Sequence, residues 1–209
     1  MRRVTSFKVP AGEGLDEFVE RKSRFIGAVR YTKTEEEALA FIAEVNEKHK
    51  TATHNVYAYS IRENNIIRYS DNGEPQGTAG LPVLDVFRKE EIFDFCCVVT
   101  RYFGGILLGG GGLVRAYSHS AKIALDAAGI AVMRLWTEGM LSVPYNMFEQ
   151  VNKTLAEMGA KNISADYGAD VAITYLLPSE DFDKVSAKVF DMTAGQVSPI
   201  RGEEKFMAI

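Results

Sequence analysis

Apolar positions in the last third of the chain switch repeatedly between a period of two and a helical period. Leu141, Val143 and Tyr145 recur at every second residue, the spacing of a strand with one buried face. Phe148, Val151, Leu155 and Met158 follow at i, i+3, i+7 and i+10, an amphipathic helical stripe that Gly159 closes. Residues 162–167 and 170–177 alternate again around Gly168 and predict a hairpin. Phe182, Val185, Val189 and Met192 restore the helical spacing. Ser179 is placed to cap that helix, Glu180 and Asp181 suit its positive end, and Gly195 stops it. A final strand falls within residues 196–209. The order is βαββαβ, a ferredoxin-like layer of two helices on one sheet.

The first two thirds are also mixed. Residues 24–31 read as a strand. Thr34 and Glu37 form a capping box that opens a helix running to about His49. Residues 54–62 and 66–70 form a hairpin across Glu63-Asn64-Asn65. The polar stretch from Ser70 to Gly80 is too rich in turn residues to be a regular element. Pro82 suits the first turn of a short helix ending near Lys89. Residues 94–101 form a strongly apolar strand, expected at the centre of a sheet. Residues 113–128 form a helix whose inner face is Ala116, Ser120, Ala124 and Ala127, small enough for close helix–sheet contact. Two domains are expected, 1–134 and 137–209, with the boundary in residues 133–137. The fold class is α+β.

Charge changes this picture in one respect. The net charge is −4, but residues 1–134 hold 18 Lys and Arg against 17 Asp and Glu, whereas residues 135–209 hold 6 against 11. A broad, sequence-independent nucleic-acid binder would be basic throughout, so any polyanion site is local and lies in the first domain. Cys96 and Cys97 are adjacent inside an apolar run and read as small buried hydrophobes, not as a disulfide or a metal site. That usage fits a reducing, cytoplasmic compartment. The basic start at Arg2-Arg3 is followed by no apolar segment, so no signal peptide is expected, and no apolar run reaches bilayer length.

The chemistry concentrates between Val98 and Tyr117. A β-branched run ends at Arg101, Tyr102 and Phe103, then comes a loop with Gly104, Gly105, Gly109, Gly110, Gly111 and Gly112, then a helix. Glycine lets backbone amides approach a ligand closely, and a helix start adds unpaired N–H groups and partial positive charge. Arg101 and Arg115 bracket this surface, which is suited to a phosphate or carboxylate. The plain alternative for the glycines is tight packing within the domain. The loop lacks the Gly-Lys-Ser/Thr of a P-loop, and Arg115 stands where a dinucleotide fingerprint needs its third glycine. Arg115, His119 and Lys122 share one helical face, either a basic stripe or an ordinary solvated face. Arg101 is alternatively the ion-pair partner of Asp71 or Glu74. Asp71 and Glu74, with His54, offer a general acid–base or metal group, or simply shape their loop. No metal-ligand spacing and no nucleophile elbow are present, so neither a metal nor another cofactor is expected.

These stretches resemble the IMPACT/YigZ family, the bacterial two-domain type most closely. The resemblance rests on Lys22-Ser23-Arg24-Phe25-Ile26, on His54-Asn55 with Tyr57-Ala58-Tyr59, on Ser70-Asp71-Asn72-Gly73-Glu74-Pro75 with Gly77-Thr78-Ala79-Gly80, and on Val99 to Ile106 and Gly111 to Tyr117. Asn72 stands where the family usually has a second aspartate, Leu107 where lysine is common and Gly110 where threonine or alanine is common. The first departure weakens a two-carboxylate metal mechanism, and the second removes a cation from the loop. The resemblance implies a first domain with the βαβ fold of domain IV of elongation factor G and a ferredoxin-like second domain similar to domain V of that factor. Eukaryotic relatives regulate translation through a stress-kinase activator, a partner system not expected in bacteria.

The resulting expectation is a non-enzymatic binding or regulatory protein linked to translation. It meets RNA, the ribosome or a translation-associated protein through Arg101, Tyr102, the glycine loop and Arg115, with His54, Asp71 and Glu74 beside it. No membrane partner is expected. The alternative is an enzyme on a small anionic or phosphorylated substrate, with Glu74 or His54 transferring a proton and the glycine loop holding the anion.

Overall fold

The computed structural model describes residues 4–208. The chain divides into two compact units: Phe7–Val132, and Met133 onward together with the residues up to Ser6.

The sheet of the first unit contains β2 (Gly14–Glu20), β3 (Ser23–Tyr31), β4 (His54–Ile61), β5 (Ile66–Ser70) and β6 (Phe95–Tyr102). Their order is β2-β3-β6-β4-β5, and every neighbouring pair is antiparallel. Three helices pack on it: α1 (Glu35–Lys48), α2 (Gly80–Lys89) and α3 (Gly110–Ala128). The short β1 (Ser6–Pro10) bridges to Ile92 through Lys8. β3, α1 and β4 form a split βαβ unit, because β6 lies between the two parallel strands.

β6 has helices on both faces, which is why it reads as one apolar run. Phe95, Cys97 and Val99 join a core with α2 and α3, while Cys96 and Val98 join a second core with α1. The two cysteines therefore point to opposite faces, both buried and free. Filling such positions stabilises the fold by about 1.5–3 kcal/mol per large side chain. Thr34 Oγ1 accepts from the Glu37 amide at 3.3 Å, and Glu37 returns a bond to the Lys33 amide at 2.7 Å, so the expected capping box is displaced by one residue at its return bond.

The close helix–sheet contact depends on glycine in the strands as much as on alanine in the helix. A Cβ on Gly27 would lie 2.3 Å from Ser120 O, and one on Gly14 would lie 2.1 Å from Ala124 O. Ala116, Ser120 and Ala124 are buried as expected, but Ala127 is exposed, and Ala128 continues the inner face. A second correction concerns the start of α3. It begins at Gly110, not at residue 113, so Gly110, Gly111 and Gly112 form its first turn. Strands β1 and β2 carried no alternating signal. β2 is an edge strand with only Gly14 buried, so little apolar periodicity was needed.

In the second unit the order is β7 (Ile130–Val143), α4 (Tyr145–Glu157), β8 (Lys161–Tyr167), β9 (Val171–Pro178), α5 (Phe182–Met192) and β10 (Ile200–Ala208). The sheet has five strands in the order β1-β7-β9-β8, with β10 also pairing with β7, and the β10-β7, β7-β9 and β9-β8 pairs are antiparallel. Residues 133–137 lie inside β7, so the chain crosses between units along a strand rather than a loop. Tyr145 opens α4 instead of ending β7, because Pro144 before it cannot continue the ladder as a donor. Ser179 does not cap α5: its N-cap position is Asp181, and Ser179 Oγ bonds Thr137 Oγ1 across the sheet. Gly139 gives its empty side-chain position to the Tyr175 ring, which a Cβ would approach to 2.3 Å.

Candidate functional site

The register of the central sheet assembles the site. Arg101 near the end of β6 pairs with Phe25 on β3 and with His54 on β4, so all three side chains share one face. The polar loop after β5 is then folded over that face by Asp71. One Asp71 oxygen, Oδ1, accepts from the Ala79 amide at 3.1 Å and the Gly80 amide at 2.8 Å. The other, Oδ2, accepts from the Gly77 amide at 2.8 Å. A carboxylate at the start of α2 also suits the positive end of that helix. Asp71 is thus a loop-shaping residue.

This fold of the loop drives Glu74 inward. Its side chain is 4% exposed, and that of Arg101 is 5% exposed. Arg101 NH1 donates to Glu74 Oε1 at 2.6 Å, and the Tyr117 hydroxyl donates to the same oxygen at 2.7 Å. Burial, reinforced by the bond to Glu74, pushes the Tyr117 phenol well above its ordinary range, so it remains a neutral donor. Arg101 NH2 reaches Ser23 Oγ at 3.3 Å, and its guanidinium lies between the rings of Phe25 and Phe103 at 5.3 and 5.4 Å. His54 Nε2 stands 3.8 Å from Glu74 Oε1. The other ring nitrogen, Nδ1, faces the Asn72 carbonyl at 2.7 Å, and a carbonyl only accepts, so Nδ1 carries a proton. Asn72 also accepts the Asn55 amide through Oδ1 at 2.9 Å, a structural task for the residue that departs from the family pattern.

His54, Asp71, Glu74 and Arg101 therefore belong to one cluster, joined by Tyr117 and Ser23, to which no role was assigned from the sequence. The available signal for Tyr117 was its place on the small-residue face of α3, next to Ala116. Tyr102 is not in the cluster. Strand alternation turns it to the opposite face, where its hydroxyl meets His49 Nδ1 at 3.0 Å.

The expectation that Arg101 and Arg115 flank one cradle is corrected. Arg101 points inward and is neutralised by Glu74, whereas Arg115 is exposed and lines a separate groove of about 230 Å³ with Phe18, Arg21, Leu108 and His119. Lys122 also leaves the proposed stripe, since Glu90 at 3.2 Å and Asp126 at 2.7 Å hold it. Gly104 is sealed inward: its amide donates to Ser23 Oγ at 3.1 Å, and a Cβ there would lie 2.0 Å from the Lys22 carbonyl carbon. Arg21 NH1 donates to Leu107 O at 3.1 Å and ties the β2–β3 turn to the loop. Gly105 and Gly109 have φ of 85° and 72°, where glycine is favoured. Gly109 and Gly110 line a further cavity of about 340 Å³ with His54, Glu74, Arg101 and Phe103. Gly111 and Gly112 lie in the first turn of α3, with Gly112 on the Arg115 groove.

Among the described residues no group of three or more His, Cys, Asp and Glu side chains is placed to hold a metal. Among the same residues no helix is long and apolar enough to cross a membrane.

The Impact N-terminal domain matches residues 21–125, a span that contains the whole Ser23–His54–Glu74–Arg101–Tyr117 cluster. The chain belongs to the IMPACT family. The Domain of unknown function (DUF1949) matches residues 141–196. The IMPACT family member YvyE of Bacillus subtilis is 36% identical over 93% of this chain and 90% of its own length. The IMPACT family member YigZ of Escherichia coli is 34% identical over 88% of this chain and 92% of its own. The Protein IMPACT homolog of Dictyostelium discoideum is 34% identical over 59% of this chain but only 34% of its own length. A solved structure titled "Crystal structure of an hypothetical protein" shares 32% identity and superposes with a TM-score of 0.62, covering 96% of this chain and 99% of that one.

Proposed function

We propose that this IMPACT family member is a non-enzymatic regulatory protein of translation whose N-terminal unit holds RNA phosphates, on the ribosome or in structured RNA. The observation that carries the reading is a group of uncompensated cations. Arg21 and Arg115 are exposed, make no ion pair among the described residues and line one groove, with exposed Lys22 next to Arg21 in the turn; Lys33, Lys48, Arg68 and Lys89 also lack an ion pair but line no part of that groove. Glu20 on the rim of the same groove is the one acidic neighbour lining it. Arg21 and Lys22 adopt φ of 46° and 63°, a backbone region costly for side chains other than glycine and asparagine, which fixes the turn that presents them. The fold analogy to domains IV and V of elongation factor G that the sequence resemblance implies points in the same direction. The acidic second unit restricts binding to this local patch.

Three phosphate contacts give a slope of log affinity on log salt of about −2.1 to −2.7, a loss of roughly 20- to 40-fold between 50 and 200 mM salt. Arg21→Ala/Arg115→Ala reduces that slope by about 1.5. Filter binding to an RNA hairpin and cosedimentation with ribosomes measure it. Absent binding, or binding that ignores both salt and the double substitution, rejects the reading. The alternative, proton transfer by Glu74 or His54 on a phosphorylated substrate, has in its favour their 3.8 Å approach. Against it, Glu74 Oε1 is already engaged by Arg101 and Tyr117.

A further inference from the structure

The cavity beside the buried cluster has a composition distinct from the phosphate groove. Its volume of about 340 Å³ lies at the small end of ligand sites. Phe103, Leu107, Leu108, Leu113 and Pro75 make its walls apolar. Thr53, His54 and Arg101 also line it, and two further polar features bear on the ligand. One is Glu74, almost fully buried, whose Oε2 makes no hydrogen bond among the described residues although Oε1 has two. The other is the first turn of the 19-residue helix α3, where Gly109 at the N-cap supplies no side chain to its amides.

The charges select the ligand. Glu74 is balanced by Arg101, and the α3 terminus adds partial positive charge. A cation is therefore disfavoured even though a carboxylate lines the cavity. An open acceptor at Glu74 asks for an N–H or O–H donor, and open amides ask for an anionic acceptor. The apolar walls ask for a branched hydrocarbon body between them.

We propose that this cavity binds a small apolar carboxylate that carries a hydrogen-bond donor next to the carboxylate, such as an N-acyl branched amino acid or a branched 2-hydroxy acid. The carboxylate meets the α3 amides, the donor meets Glu74 Oε2, and the side chain lies against Phe103, Leu107 and Leu113. The ligand contacts named here use neither Arg21 nor Arg115, although Leu108 lines both this cavity and their groove and Arg21 holds Leu107 O, so Arg115→Ala alone is the variant that separates RNA binding from this site.

The test is calorimetric and NMR titration of the full chain with N-acetyl-leucine, 2-hydroxy-4-methylpentanoate and N-acetyl-leucinamide. At least one carboxylate binds saturably with Kd below about 1 mM, and the carboxamide binds roughly tenfold or more weakly. Gly110→Pro deletes one α3 amide at the helix position where proline is well accepted, and the nearest atom to a Cβ there, Thr78 Cγ2, is 3.9 Å away. It weakens the carboxylate about tenfold. If neither carboxylate binds, if the carboxamide binds equally well, or if Gly110→Pro binds the carboxylate as tightly as the parent does, the assignment is wrong.

Discussion

Removing Glu74 tests whether the buried cluster, rather than an open anion cradle, is what this part of the chain builds. In Glu74→Ala the Arg101 guanidinium, whose side chain is 5% exposed, loses its 2.6 Å counter-ion. The Tyr117 hydroxyl loses its acceptor as well. Truncating one partner of a buried ion pair costs about 3–5 kcal/mol, and an unmatched hydroxyl adds about 1 kcal/mol. The adjoining cavity lets water relieve part of that cost, so a net loss of about 3–4 kcal/mol is expected. Glu74→Gln keeps the shape and one acceptor and loses about half as much. Replacing both partners, Glu74→Leu with Arg101→Met, leaves no isolated charge and costs less than the two single changes added together. Urea denaturation followed by near-UV circular dichroism, to which six of the nine tyrosines contribute from the N-terminal unit, measures the loss. With an m-value of about 2 kcal/mol/M, Glu74→Ala lowers the midpoint by about 1.5–2 M. A midpoint within about 0.3 M of the parent protein, or strictly additive losses in the double variant, refutes the argument.

Three further outcomes follow from other parts of the molecule. Tyr175 is fully buried with an unpartnered hydroxyl, and burial pushes its phenol up to about 12. The unfolded chain ionises near pH 10 while the folded one stays protonated, so stability is intact below pH 10 and falls by about 1.4 kcal/mol per unit toward pH 12. Tyr175→Phe removes this residue's share of the alkaline decline, while the raised phenols of Tyr59 and Tyr117 keep theirs, and costs nothing at pH 7; an unchanged alkaline curve counts against it. Gly27→Ala forces a Cβ to 2.3 Å from Ser120 O and lowers stability by about 1–3 kcal/mol, measured by thermal melting. A melt like the parent's shows that the helix and strand are not in close contact. Cys96 and Cys97 have thiols raised far above the ordinary range by burial, so a thiol reagent labels them only at the rate of unfolding. Rapid labelling of the native protein contradicts the two-faced core around β6.

Local physics alone determined much of the second unit. Leu141, Val151, Leu155, Val185 and Val189 hold strict periods because each element has one apolar face and one solvent face. The same logic located α1 through Thr34 and β6 through its unbroken apolar run. It failed at β2, an edge strand whose side chains mostly meet water, and at Ser179, which a cross-sheet partner, Thr137, draws away from the helix start. The glycine-rich segment and its flanking arginines were visible as a chemical concentration, but their direction was not. Arg101 and Arg115 differ in which way a strand and a helix turn them, and that follows from the register of β6 against β3 and β4 and from the rotation of α3. Glu74 reaches Arg101 across 27 positions of sequence only because Asp71 folds their loop onto the sheet. Spacing along a chain encodes which face an element buries; which distant charges meet on that face is decided when the elements pack.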